Sequence, residues 1–132
     1  MNIEAAKSMI KEAGDCLEEA QRAYTKSSYN LAVRRSQETV ELALKGILRL
    51  IGIEYPKVHD VGDVFLEHMV KFSQDVDNLK KIATISRRLA KDREPSFYME
   101  RIYSEAIAKE TVESARFVYE YIEKLLRLRD KR

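Results

Sequence analysis

One cysteine, two histidines, two prolines and four glycines are all that this 132-residue chain holds of the residues that most often mark small sites or tight turns. The single Cys16 excludes an internal disulfide and a cysteine metal cluster. It falls beside an apolar helix stripe, which suits a small, inert, partly buried side chain. The two histidines, His59 and His68, match no His-Glu-x-x-His or other metal spacing. The glycines are dispersed, so no glycine-rich phosphate loop exists, and no serine stands in a nucleophile elbow. No apolar run approaches the roughly eighteen residues of a membrane-spanning helix. The opening MNIEAAKSMIKEAGD carries acids where a signal peptide would carry an apolar stretch. No segment alternates with period two, and no linker or internal repeat breaks the chain. These absences leave one domain over 1–132, soluble and cytoplasmic, with no metal and no cofactor expected.

What is present is helix. Apolar residues make up 45% and charged residues 35%, too apolar for disorder. Ile3, Ala6, Ile10, Ala13, Leu17, Ala20 and Tyr24 recur in steps of three and four, with Asn2 placed to cap them. Thr25-Lys26-Ser27-Ser28 interrupts the seam and offers a new cap. The second helix is the clearest. Tyr29, Ala32, Val33, Ser36, Val40, Ala43, Leu44, Ile47, Leu48 and Ile51 share a face, and Arg34, Arg35, Glu38, Glu41, Lys45 and Arg49 lie away from it. Gly52 is the expected stop. Asp60 can cap a short third helix bearing Val61, Val64, Phe65, His68, Met69 and Phe72 on one side. A fourth starts from Ser73 or Asp75, buries Leu79, Ile82, Ala83, Ile85 and Leu89, and ends before Arg93-Glu94-Pro95, because proline removes a donor and biases the residue before it away from helix. A fifth runs from about 102 to 128, with 126–132 a charged, frayed tail. Short connections between such helices predict an all-α, antiparallel, up-and-down bundle of four long helices and one short one. Phe65, Met69, Phe72, Tyr103 and Tyr119 exceed what that core needs and predict a homodimer.

The charge is uneven. Residues 1–66 hold nine Lys+Arg and ten Asp+Glu, and residues 67–132 hold fifteen and twelve. Between 80 and 93 six bases meet one acid. Lys80, Thr84, Arg87 and Lys91 line one stripe of the fourth helix, Lys81 and Arg88 flank it, and Arg93 extends it. Such a stripe tracks a phosphate backbone, or is a solvated face paired with neighbouring acids. At its end, Phe97 and Tyr98 either plug the bundle or form a site in which Arg93 grips phosphate and Tyr98 stacks on a base. His59 either bonds a neighbouring helix end or donates a proton, and His68 reads as a core or boundary histidine. Few Asn, Gln and Cys beside many Lys, Arg and Glu resemble a thermophile's usage.

The run YNLAVRRSQETVELALKGILRLIG, with Gln37, Glu41 and Lys45, resembles the second helix of HEPN (higher eukaryotes and prokaryotes nucleotide-binding) domains. YPKVHDVGDVF resembles the family's Pro-x-x-His connection, with Val61 and Phe65 in place of leucines. SRRLAKDREPSFY resembles the next signature, an Arg followed within a few residues by Tyr or His. The likeness spans roughly 1–125. It implies a helical bundle, a homodimer, and partnership with a minimal nucleotidyltransferase in a toxin–antitoxin-type module; joined to the basic stripe read above, it makes Lys80, Arg87, Arg88, Lys91 and Arg93 the candidate residues for binding RNA or nucleotide. Many members are metal-independent ribonucleases in which an Arg holds the phosphate and a His a few residues later moves protons. Here Arg93 matches the Arg, but Tyr98 stands in the histidine slot. A tyrosine, titrating near pH 10, is a poor base at neutral pH. The resemblance therefore implies three readings: a nucleotide- or RNA-binding partner of a transferase, with Tyr98 a candidate acceptor of adenylate; a ribonuclease using Arg93 and Tyr98, with His59 supplying the missing imidazole; or a non-catalytic interaction module.

Overall fold

The computed structural model describes residues 3–130. Five helices follow in order: α1 (Ile3–Thr25), α2 (Tyr29–Leu50), α3 (Gly62–Met69), α4 (Val76–Phe97) and α5 (Glu105–Asp130). No strand occurs among the described residues. Three residues join α1 to α2, so the two run antiparallel and make the most extensive contact in the molecule. Helix α2 is the hub, packing on all four others.

The apolar stripes account for this arrangement. Ala6, Ile10, Ala13 and Leu17 of α1 meet Val40, Ala43, Leu44, Ile47 and Leu48 of α2, and α3, α4 and α5 close the same core with Phe65, Leu79, Ile82, Leu89, Val118 and Ile122. A second cluster under the α1–α2 turn gathers Ala20, Ala23, Ala32, Val33, Tyr103, Ala108 and Val112. Gly52 stops α2 in the left-handed region at φ 79°, with Ile53 N–H returning to Leu48 C=O, the geometry that favours glycine. Gly62 lets α3 lie against α4: a Cβ there would stand 2.8 Å from Ser86 Cβ and 2.9 Å from Ala83 O. Cys16 is half-buried, and burial is the main cause that pushes its thiol up to about 11.

Several sequence expectations need correction. The cap expected at Asn2 lies outside the described residues. Ser28 stands at the N-cap of α2 without a side-chain capping bond. Asp60 does bind the start of α3, accepting from Gly62 N–H at 3.0 Å and from Ser86 Oγ at 2.7 Å, and so also ties α3 to α4. Phe72 does not join the core but is 75% exposed past the end of α3. Phe65, Met69 and Tyr103 are buried within the chain and Tyr119 packs on the core, so the surplus that suggested a dimer is mostly not surplus. Helix α5 begins at Glu105, where Ser104 Oγ accepts from Ile107 N–H, and extends to Asp130.

The correction that matters most is at Pro95. Helix α4 runs through it to Phe97. A proline in the last turn forfeits one hydrogen bond rather than a ladder of them. Tertiary ties hold that turn: Ser96 is buried, its Oγ donates to Arg93 C=O at 2.9 Å, and Asn30 Nδ2 donates to Ser96 C=O at 3.2 Å. The chain then reverses through Met99, which is left-handed at φ 57°. Asn30 holds this reversal too, donating to Arg101 C=O at 2.7 Å and accepting from Tyr103 N–H at 3.0 Å.

Candidate functional site

The extra turn of α4 places Arg93 and Phe97 four residues apart on one helix face. Beside that face, α2 presents Arg34 and Glu38, and the α2–α3 connection presents His59. With Glu94 and Tyr98 these line a cavity of about 310 Å³. Three residues singled out from the sequence, His59, Arg93 and Tyr98, thus share one pocket.

The floor of the site is a polar hub on Glu41. Gln37 Nε2 donates to Glu41 Oε1 at 2.9 Å, and Lys45 Nζ donates to Oε2 at 2.8 Å. His59 Nδ1 lies 3.0 Å from Oε1, and Arg93 Nη1 lies 3.8 Å from the same oxygen. Arg93 Nη1 also donates to Gln37 Oε1 at 2.7 Å. Because His59 and Arg93 share one oxygen, their nitrogens are no further apart than the sum of those two distances. Burial raises the Glu41 pKa, but hydrogen bonds from Gln37 and Lys45, then the Lys45 and His59 charges, outweigh it and leave the carboxyl below its ordinary 4.5. An ionised carboxylate only accepts, so His59 Nδ1 carries the hydrogen of this contact, and in the neutral tautomer with that hydrogen the lone pair is on Nε2.

The rim is aromatic. Phe97 is 52% exposed and Tyr98 is 67% exposed, with ring centroids 4.9 Å apart and edge to face. They do not plug the bundle; the buried Tyr103 does, with its hydroxyl on Asp92 at 2.7 Å. Arg34 lies over Phe97, its Cζ 4.5 Å from the ring centroid. Leu31, Met99 and Ile102 are also exposed, and they line a separate cavity with Ser27, Ser28 and Tyr29.

The basic stripe divides. Arg87 is ion-paired to Asp63 at 2.8 Å, and Arg88 reaches Glu110 at 2.7 Å and Ser114. Lys81 sits 4.0 Å over the Phe117 ring. Arg88 and Lys91 line a wide, open groove of about 720 Å³ toward α5, whose Arg88, Lys91 and Arg101 face Asp92, Glu100 and Glu110. Lys80 and Lys91 form no ion pair among the described residues. None of Lys80, Arg87, Arg88 and Lys91 reaches the pocket that holds Arg93. His68 is half-buried on α3, as a boundary residue. No cluster of three or more potential metal ligands exists among the described residues.

Arg34 escaped the sequence-based assignment of the site, and Phe97, named there beside Tyr98, was given no role of its own. The signal was present: Arg34, Gln37, Glu41 and Lys45 form a second stripe of helix period on α2, bordering the apolar one, and that stripe reads as a solvated face.

A family model described as HEPN domain matches residues 6–125. The chain belongs to the HEPN family. The crystal structure of an archaeal HEPN homologue superposes with a TM-score of 0.70 at 26% identity, covering 95% of this chain and 98% of that one. No curated protein gives a match. In this HEPN domain, Gln37, Glu41 and Lys45 are the hub under Arg93 and His59, which explains their spacing on α2. Membership carries a nucleotide- or RNA-related function. No helix among the described residues is long and apolar enough to cross a membrane.

Proposed function

We propose that this HEPN domain binds RNA in the pocket formed by α2, the α2–α3 connection and the last turn of α4, and acts beside a minimal nucleotidyltransferase in a toxin–antitoxin-type module. The observation that carries the binding reading is the convergence of Arg93, Arg34 and His59 with the exposed Phe97 and Tyr98 around one cavity of nucleotide size. Guanidinium groups suit phosphate, and exposed rings suit an unpaired base. The transferase partnership and the homodimer rest on the family resemblance, with Leu31, Phe97, Met99 and Ile102 as the apolar surface available to a second copy. Salt-titrated binding to single-stranded RNA tests the first part. Affinity falls with salt, and Arg93→Ala weakens it at every salt. Binding indifferent to salt and to Arg93 leaves only the interaction-module reading. Co-purification with a co-expressed transferase, and light scattering at tens of micromolar, test the partner and the dimer.

The contact of both His59 and Arg93 with Glu41 Oε1 favours a second reading, a metal-independent ribonuclease. His59 Nε2 would take the proton from a ribose 2′-hydroxyl as that oxygen attacks phosphorus. The bond from phosphorus to the 5′-oxygen breaks, and the imidazolium returns the proton to the leaving oxygen. Arg93 would carry the charge on the phosphate. Cleavage of a mixed RNA pool in a chelator, lost in both His59→Ala and Arg93→Ala and kept in Tyr98→Phe, supports this reading. No cleavage by the wild-type chain removes it and leaves the binding reading standing.

A further inference from the structure

Two arginines line the pocket, and they are held in opposite ways. Arg93 is tied by its N–H groups: Nη1 is committed to Gln37 and approaches Glu41. Arg34 is held by a ring. Its Cζ lies 4.5 Å from the Phe97 centroid, a cation–π contact that engages none of its N–H donors. Its nearest carboxylate oxygen is Glu38 Oε1 at 4.0 Å, and it makes no hydrogen bond among the described residues. That same oxygen is already taken by Arg35, whose Nη1 donates to it at 2.7 Å while its Nε donates to Glu19 at 2.9 Å. Arg35 is therefore the main partner of Glu38, while Glu94 lines the same cavity. Arg34, half-buried and facing the cavity, keeps both its positive charge and its donors.

We propose that Arg34 is a phosphate-binding residue of this site, held in position by the Phe97 ring, so that the pocket grips single-stranded RNA through two guanidinium groups on two different helices. The inference rests on the RNA-binding reading above. Phe97 then serves as the platform that orients Arg34, and Tyr98, packed edge-on against Phe97, is the ring exposed to an incoming base.

The test is fluorescence anisotropy with a terminally labelled 2′-O-methyl oligouridylate, whose blocked 2′-oxygens prevent cleavage. Binding is followed across a salt series for the wild-type chain, Arg34→Ala, Arg34→Lys, Phe97→Ala, the Arg34→Ala/Phe97→Ala double variant and Arg93→Ala. Arg34→Ala is expected to weaken binding about tenfold or more, the loss of a charge-assisted hydrogen bond. It is also expected to flatten the slope of log affinity against log salt by about 0.7, one phosphate contact to a single strand. Arg34→Lys does not restore the affinity, because a lysine neither stacks nor presents a fork. Phe97→Ala flattens the slope in the same way, and the double variant is no weaker than the weaker single. Wild-type affinity in Arg34→Ala, with Arg93→Ala impaired, overturns the inference and leaves the site reading intact. An unchanged slope in Phe97→Ala, with additive losses in the double variant, overturns the platform role by showing that Phe97 stacks on a base instead. If the wild-type chain fails to bind the probe, the site reading and this inference fall together.

Discussion

Asn30→Ala should be the most informative single change for the loop that carries the site. The Asn30 side chain is buried at the start of α2 and spends its whole amide on the far segment: Ser96 C=O, Arg101 C=O and Tyr103 N–H. These three backbone groups straddle the reversal at Met99, where the chain leaves α4. Truncation to alanine strips all three of a partner at once. A buried polar group left unpaired costs roughly 1–3 kcal/mol. The loop is partly open to water, so the lower end applies to each, and the sum comes to about 3 kcal/mol. For a chain of this size that corresponds to a fall in Tm of roughly 12 °C. Urea unfolding followed by far-ultraviolet circular dichroism measures the loss, with an unchanged m-value showing that the variant still unfolds as one unit. Asn30→Asp provides the control of chemistry: it keeps an acceptor for Tyr103 N–H but turns an oxygen toward two carbonyls, and should be no more stable than alanine. A loss under about 1 kcal/mol in Asn30→Ala would refute the reasoning, because the reversal would then be held by packing of Tyr103 alone.

Two further outcomes follow from the same contacts. Gly62→Ala should destabilise by about 1–3 kcal/mol, because the new methyl meets the backbone oxygen of Ala83 as well as Ser86 and must push α3 off α4; equal melting midpoints for variant and wild type would contradict that. Glu41 is held below its ordinary 4.5, so the unfolded chain takes up its proton first as pH falls. Its contribution is complete above about pH 4.5 and is lost as pH drops through the lowered folded value. The slope of stability against pH in that acid window should shrink in Glu41→Gln, and an identical slope in both proteins would show that Glu41 is not the titrating group.

The helices and most of their core residues were legible in the amino-acid sequence because one periodicity governs them. Ala6, Ile10, Ala13 and Leu17, or Val40, Ala43, Leu44 and Ile47, repeat every three or four residues whatever they pack against. Gly52 was legible for a local reason too, since a left-handed residue after a helix favours glycine. The resemblance of Gln37, Glu41 and Lys45 to a family pattern reached the right family, yet without the reason for the spacing.

What lay beyond the sequence was set by contacts between distant residues. The polar stripe of α2 has the composition of a solvated face, and only the position of α2 at the centre of the bundle turns it inward, leaving the Glu41 side chain 14% exposed beneath Arg93 and His59. An exposed Glu–Lys pair would contribute about 0.3 kcal/mol, and that figure does not describe a pair so enclosed. Pro95 is a helix breaker on local grounds, and α4 nevertheless passes through it because Asn30, 66 residues earlier, holds Ser96 C=O. That one long-range bond helps decide that Phe97 stands a turn below Arg93 and over Arg34. Local propensity dictated where helices form; the tertiary fold decided which of their polar faces became a site, because only packing determines what a side chain at a given helical angle meets.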